Sequence, residues 1–123
     1  MRYSHEYSPP APSLRIRVLR PLSDRSLELD AKLDTGADMT VLPQSAIEEL
    51  RLIPAGRVSV SSFDGRKAWR YTYFINISFD DTEFRMVEVI GDKRRDALLG
   101  RDILNKLKIV LDGKNLSFSL LDP

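Results

Sequence analysis

Few residue types in this chain could carry out hydrolysis. It has no cysteine, and its one histidine, His5, lies in a polar N-terminal stretch. Thiol nucleophiles and cysteine-held metals are excluded, and Ser-His-Asp or multi-histidine sites are disfavoured. Acid–base work therefore falls to carboxylates, hydroxyls, amines or the backbone. The segment that concentrates such groups is Leu33-Asp34-Thr35-Gly36-Ala37-Asp38. Asp and Gly also favour an ordinary β-turn. This triplet, however, follows an alternating stretch and precedes a small residue and an apolar run, so core should wall its loop on both sides. Hydrolysis without metal, thiol or histidine needs an activated water and a proton donor, and two carboxyl groups can supply both. Held about 3 Å apart they cannot both ionise, so they share one proton and titrate as a pair.

The elements that must position this loop are legible from periodicity. Leu14, Ile16 and Val18 alternate with Arg15 and Arg17, which predicts a half-buried strand. Leu27, Leu29, Ala31 and Leu33 alternate with Glu28, Asp30 and Lys32, giving a second strand that runs straight into Asp34. Met39 to Leu42 is short and apolar, and Pro43 opens a predicted helix over 44–50. The stretches 58–63 and 67–79 read as strands joined at Asp64-Gly65, a strong hairpin signal. On the second of these, Tyr71, Tyr73, Ile75, Ile77 and Phe79 share a face, and Trp69, Tyr71 and Tyr73 read as core or sheet-face residues. A strand over 83–90, a charged loop over 91–96 and a buried run, Ala97-Leu98-Leu99-Gly100, come next. A helix is predicted over 101–107, and strands over 109–111 and 116–120. Many short strands at this spacing suggest a barrel or sandwich.

Composition bounds the rest. A chain of 123 residues with 42% hydrophobic and 30% charged residues is one globular domain's worth. We expect residues 1–13, with three prolines, to form an extended arm, and 14–123 a single domain. With 19 basic against 18 acidic residues, there is no electrostatic case for nucleic acid. Lys93-Arg94-Arg95 reads as a solvated loop. No apolar run approaches the roughly 18 residues of a membrane helix. The N-terminus lacks a signal-peptide core, so no membrane and a cytoplasmic location are expected. Asp30, Asp34 and Asp38 would share a helix face, but the alternation and Gly36 favour strand and turn, so no metal site is assigned.

On Leu33 to Asp38, the hairpin at Asp64-Gly65 and the segment Ala97-Leu98-Leu99-Gly100-Arg101-Asp102-Ile103-Leu104, the chain resembles the retroviral-type (retropepsin-like) aspartic proteases from Ser26 to Leu120. The resemblance implies a mostly β fold: a closed acid-protease barrel with two short helices, one lobe per chain. It implies an aspartic endopeptidase without cofactor or metal, acting on peptide or protein substrates. Only one Asp-Thr-Gly loop is present, so two copies would meet as a homodimer, each lending Asp34 at a two-fold axis. Thr35 would bond across the dyad. Gly36 would let the substrate backbone approach, and Ala37 would leave room for a substrate side chain. Asp38 would bind substrate amide and pair with Arg101. Met39, counted with the substrate-binding residues, replaces the acidic or small polar residue common after that aspartate in the family. Ser62, Phe63, Asp64 and Gly65 would form a flap that contacts substrate, with fewer glycines at the tip than retroviral flaps have. The arm before Leu14 and the last strand, 116–120, would help build the dimer. The alternative is a catalytically weak or inactive module of the same fold that dimerises or binds peptides. A carboxylate-based glycosidase would need a second placed acid within the same chain.

Overall fold

The computed structural model describes residues 1–62 and 64–121. Strands β1 (Ser13–Leu19) and β2 (Ser26–Leu33) form an antiparallel pair, with Ile16 opposite Leu29. Their alternation is the one expected. Leu14, Ile16, Val18 and Ala31 are buried, whereas Arg15, Arg17, Glu28 and Asp30 face solvent. The chain then passes through the Asp34 loop to β3 (Val41–Pro43) and α1 (Gln44–Glu49). Next come β4 (Gly56–Ser61), the long β5 (Lys67–Phe79) and β6 (Thr82–Asp92). Strand β7 (Ala97–Leu99), helix α2 (Arg101–Leu104) and the hairpin β8 (Lys108–Asp112)–β9 (Ser117–Leu121) complete it.

Six strands close a barrel in the order β1-β2-β7-β3-β6-β5, and β5 returns to β1 through Val18 opposite Ile77. Two pairings are parallel, β2 with β7 and β3 with β6. Both lie beside the Asp34 loop, where two chain crossings meet. The interior is apolar: Ile16, Val18, Leu42, Ile75, Ile77, Val89, Leu99 and Ile103 are essentially inaccessible to water, and their burial drives closure. Near the middle of β5 the register slips between Ile75 and Ile77. Met86, at φ +52°, donates its N–H to Asn76 Oδ1 at 2.9 Å, so the interrupted ladder is repaired by a side chain.

Three local differences from the sequence reading have clear causes. Helix α2 stops at Leu104 rather than 107. The N–H groups of Lys106 and Leu107 donate to carbonyls three residues back, which tightens the turn, packs Leu107 on the core and delivers the chain to β8. Pro43 ends β3 in extended backbone and caps α1 from outside. Tyr71 and Trp69 are exposed while Tyr73 is buried, because the first half of β5 leaves the barrel to pair with β4 as a projecting hairpin.

The first residues fold back on the terminal hairpin. The N-terminal ammonium donates to the Phe118 carbonyl at 2.7 Å, and Tyr3 N–H donates to the Leu116 carbonyl at 2.8 Å. Ser4 and Ala11 exchange backbone bonds, closing residues 4–11 into a loop. No helix among the described residues is long and apolar enough to cross a membrane.

Candidate active site

Asp34 sits where β2 ends. Its N–H donates to the Leu99 carbonyl at 2.9 Å, which continues the β2–β7 ladder by one residue. The chain then turns sharply. Ala37 N–H donates to the Asp34 carbonyl at 3.2 Å, and Gly36 N–H donates to Asp34 Oδ1 at 2.9 Å. A Cβ on residue 36 would lie 3.1 Å from that same oxygen, so glycine suits the approach. Oδ2 makes no hydrogen bond among the described residues. The loop thus orients one carboxylate while Thr35 and Gly36 remain exposed.

The loop is clamped from α2. Arg101 N–H donates to the Ala37 carbonyl at 2.8 Å, and its Nη1 donates to the Thr35 carbonyl at 2.7 Å. Nη2 reaches Asp38 Oδ1 as an ion pair. The Asp38 side chain is 84% exposed, so solvent screens the pair and the Thr35 contact does more to hold the loop. Gly100 lies against the loop's backbone: a Cβ there would fall 2.6 Å from the Met39 carbonyl carbon and 2.9 Å from the Ala37 oxygen. Close approach requires glycine at this position.

Behind the clamp lies a polar knot that the sequence did not single out. Thr40 is fully buried. Its N–H and Oγ1 donate to the two Asp102 oxygens at 3.1 and 2.9 Å, and Oγ1 accepts from Gly100 N–H at 3.2 Å. A threonine inside the apolar run Met39 to Leu42 was the available signal, since a buried hydroxyl must find a partner. Thr40→Val keeps the shape and deletes the hydroxyl's roles as donor and acceptor. We expect a loss of about 1–3 kcal/mol in stability, measured by urea denaturation; an unchanged midpoint would refute the assignment.

The other expected site residues are more scattered. Ala37 is half-buried in the loop. Met39 lines a cavity of about 290 Å³ with Met86 and Ile103. Ser62, Asp64 and Gly65 lie at the tip of the β4–β5 hairpin; Phe63 is outside the described residues. Gly65, at φ +83°, makes the turn. Asp64 accepts from Ser62 Oγ and from Arg66 N–H, and these bonds hold its carboxyl below the usual range. These hydrogen bonds are internal to the tip; among the described residues, no hydrogen bond of Ser62, Asp64 or Gly65 reaches the Asp34 loop.

A family model described as gag-polyprotein putative aspartyl protease matches residues 25–106, which include the Asp34 loop and α2. Among solved structures, the chain is similar to EIAV protease complexed with the inhibitor HBY-793, at 19% identity and TM-score 0.61, covering 86% of this chain and 93% of that one. It is also similar to a retropepsin-like aspartic protease from Rickettsia conorii, at 17% identity and TM-score 0.62, with 98% and 86% covered. Simian Foamy Virus (mac) protease matches at 17% identity and TM-score 0.58, with 76% and 92% covered. At these identities the likeness shows the fold, a closed retropepsin-like barrel. No curated protein matches the chain.

Proposed function

The chain belongs to the gag-polyprotein aspartyl protease family, and from that premise we propose that it is an aspartic endopeptidase completed by a second copy of itself. The observation that carries this reading is the clamped loop: one carboxylate oriented by Gly36, with an oxygen left open, on a turn anchored by Arg101 and Gly100. One carboxylate can activate water or donate a proton, but not both at once. The partner Asp34 supplies the missing group across a two-fold axis.

Water lies between the two carboxyls. The ionised Asp34 takes its proton as the oxygen attacks the scissile carbonyl, and the protonated Asp34 donates toward that carbonyl's oxygen. The tetrahedral species then collapses with proton transfer to the leaving amine. Rigid carboxyls reduce the reorganisation needed at the moment of attack. Exposed Thr35 bonds across the dyad to the facing loop, and Gly36, Ala37 and Asp38 receive the substrate backbone. The β4–β5 hairpin, with Ser62, Asp64 and Gly65 at its tip, closes over an extended peptide and adds strand-like bonds. Val110, Leu111 and Leu121 are exposed on the terminal hairpin, and the second copy covers this surface.

The test is dilution. Cleavage of a fluorogenic peptide library at mildly acidic to neutral pH is followed alongside sedimentation of the same samples. Specific activity falls as the protein passes through its dimer dissociation constant, and the rate approaches a square dependence on concentration. A monomer with full specific activity at every dilution would overturn the shared site.

A further inference from the structure

We propose that Met39, in the cavity it shares with Met86 between β6 and α2, is a reversible oxidation site whose sulfoxide loosens the Asp34 loop. Its effect on turnover rests on the peptidase reading above; its effect on the loop does not.

The chain has three methionines and no cysteine, so thioethers are its only oxidisable sulfur. Two of them meet at one cavity of about 290 Å³. Met86 is 55% exposed, on a residue at φ +52° where β6 is interrupted. Met39 is half-buried, so a small peroxide that enters the cavity reaches its sulfur. One peroxide oxygen is transferred to that sulfur: the O–O bond breaks, an S–O bond forms, the sulfur is oxidised, and the peroxide leaves reduced as water.

The product no longer suits its surroundings. Ile103 is fully buried and Val87 nearly so, and both line the cavity with Met39. A sulfoxide oxygen turned toward them lacks a partner. Asp102 is also in the lining, but its carboxylate is an acceptor like the sulfoxide and repels it. The donors in the lining are Arg85, already paired with Glu83 at 3.1 Å, and Lys106. Turning to Lys106 draws the Met39 side chain off Ile103.

That displacement reaches the Asp34 loop because Met39 lies between its two ties. Asp38, on one side, pairs with Arg101. Thr40, on the other, donates from its N–H and hydroxyl to Asp102 at 3.1 and 2.9 Å. The Met39 carbonyl carbon is itself packed against Gly100, 2.6 Å from where a Cβ would fall. Met39 cannot shift without straining this packing.

The experiment treats the chain with graded hydrogen peroxide and locates the added oxygen by peptide mass mapping. Amide exchange over residues 34–41 and kcat/KM are read on the same samples. The exposed Met86 and Met1 gain oxygen first, and 34–41 stays protected at that stage. As Met39 gains oxygen, exchange over 34–41 rises about tenfold, and kcat/KM falls at least about fivefold. Methionine sulfoxide reductases return both to their starting values. Met39→Leu leaves no sulfur at the site, so peroxide moves neither its exchange nor its rate from their untreated values. Met86→Leu responds as the wild type does. Exchange unmoved by a sulfoxide mapped to Met39 overturns the proposal, as does a Met39→Leu chain that responds to peroxide like the wild type. Oxidation of Met39 only after the chain has unfolded, followed by circular dichroism, also overturns it. If the untreated chain cleaves no peptide, the peptidase reading fails, and the exchange measurements alone decide the proposal.

Discussion

Asp34→Asn is expected to lower peptide hydrolysis by at least about 10⁴-fold. In a self-paired site one substitution removes both carboxyls together, so neither a base nor an acid remains at the dyad. The fold should be almost indifferent. Asn keeps the size and an oxygen that can accept from Gly36 N–H, the bond that orients the native side chain among the described residues. Two neutral amides also remove the like-charge repulsion that two carboxylates would bring to the axis. The dimer should therefore persist, and sedimentation together with a thermal melt separates loss of chemistry from loss of structure. Residual turnover within tenfold of wild type would mean that another group does the work.

Among the glycines, Gly100→Ala should have the largest effect on packing, because only there does the new Cβ meet backbone atoms. The new Cβ would fall 2.6 Å from the Met39 carbonyl carbon, 2.7 Å from the Met39 oxygen and 2.9 Å from the Ala37 oxygen. All three are backbone atoms, so no rotamer change can relieve the contact. The start of α2 must part from the Asp34 loop. That separation weakens the Arg101 bonds to Ala37 and Thr35 and the Gly100 bond to Thr40. Overpacking of this kind costs about 3 kcal/mol, or about 10 °C in Tm. Activity should fall with it, because the displaced loop carries the carboxylate. Gly113→Ala is the matched control: nothing lies within 4 Å of a Cβ there, and its effect should stay within about 0.5 kcal/mol. Equal melting temperatures for the two variants would refute the close-approach argument.

Membership of the gag-polyprotein aspartyl protease family and the retropepsin-like barrel explain why so small a chain can hold a carboxylate so firmly. A short loop on its own would sample many conformers. Here β2 and β7 fix its entry, β3 fixes its exit, and α2 binds its carbonyls. The two parallel pairings that flank it require long-range crossovers, so the loop forms only when the whole barrel does. Stability and chemistry are thereby tied to the same contacts.

The sequence by itself determined four of the six barrel strands, β1, β2, β5 and β6, and the turn that carries Asp34, whereas β3 and β7 read only as short apolar runs. These are properties of neighbours one to four residues apart, set by the two-residue strand period and by what Asp and Gly permit locally. It also put Arg101 within reach of Asp38, through the family resemblance of its flanking residues. Only the tertiary structure decided that Thr40 meets Asp102 across 62 positions, that Arg101 holds the Thr35 carbonyl, and that Gly100 is pressed against Met39. It also decided that Trp69 and Tyr71 leave the core with the projecting hairpin, and that Met39 and Met86 come to line one cavity. Such pairings depend on which distant segments barrel closure brings together. No local periodicity encodes that, because it is the closed chain, and not the residue's neighbours, that selects the partner.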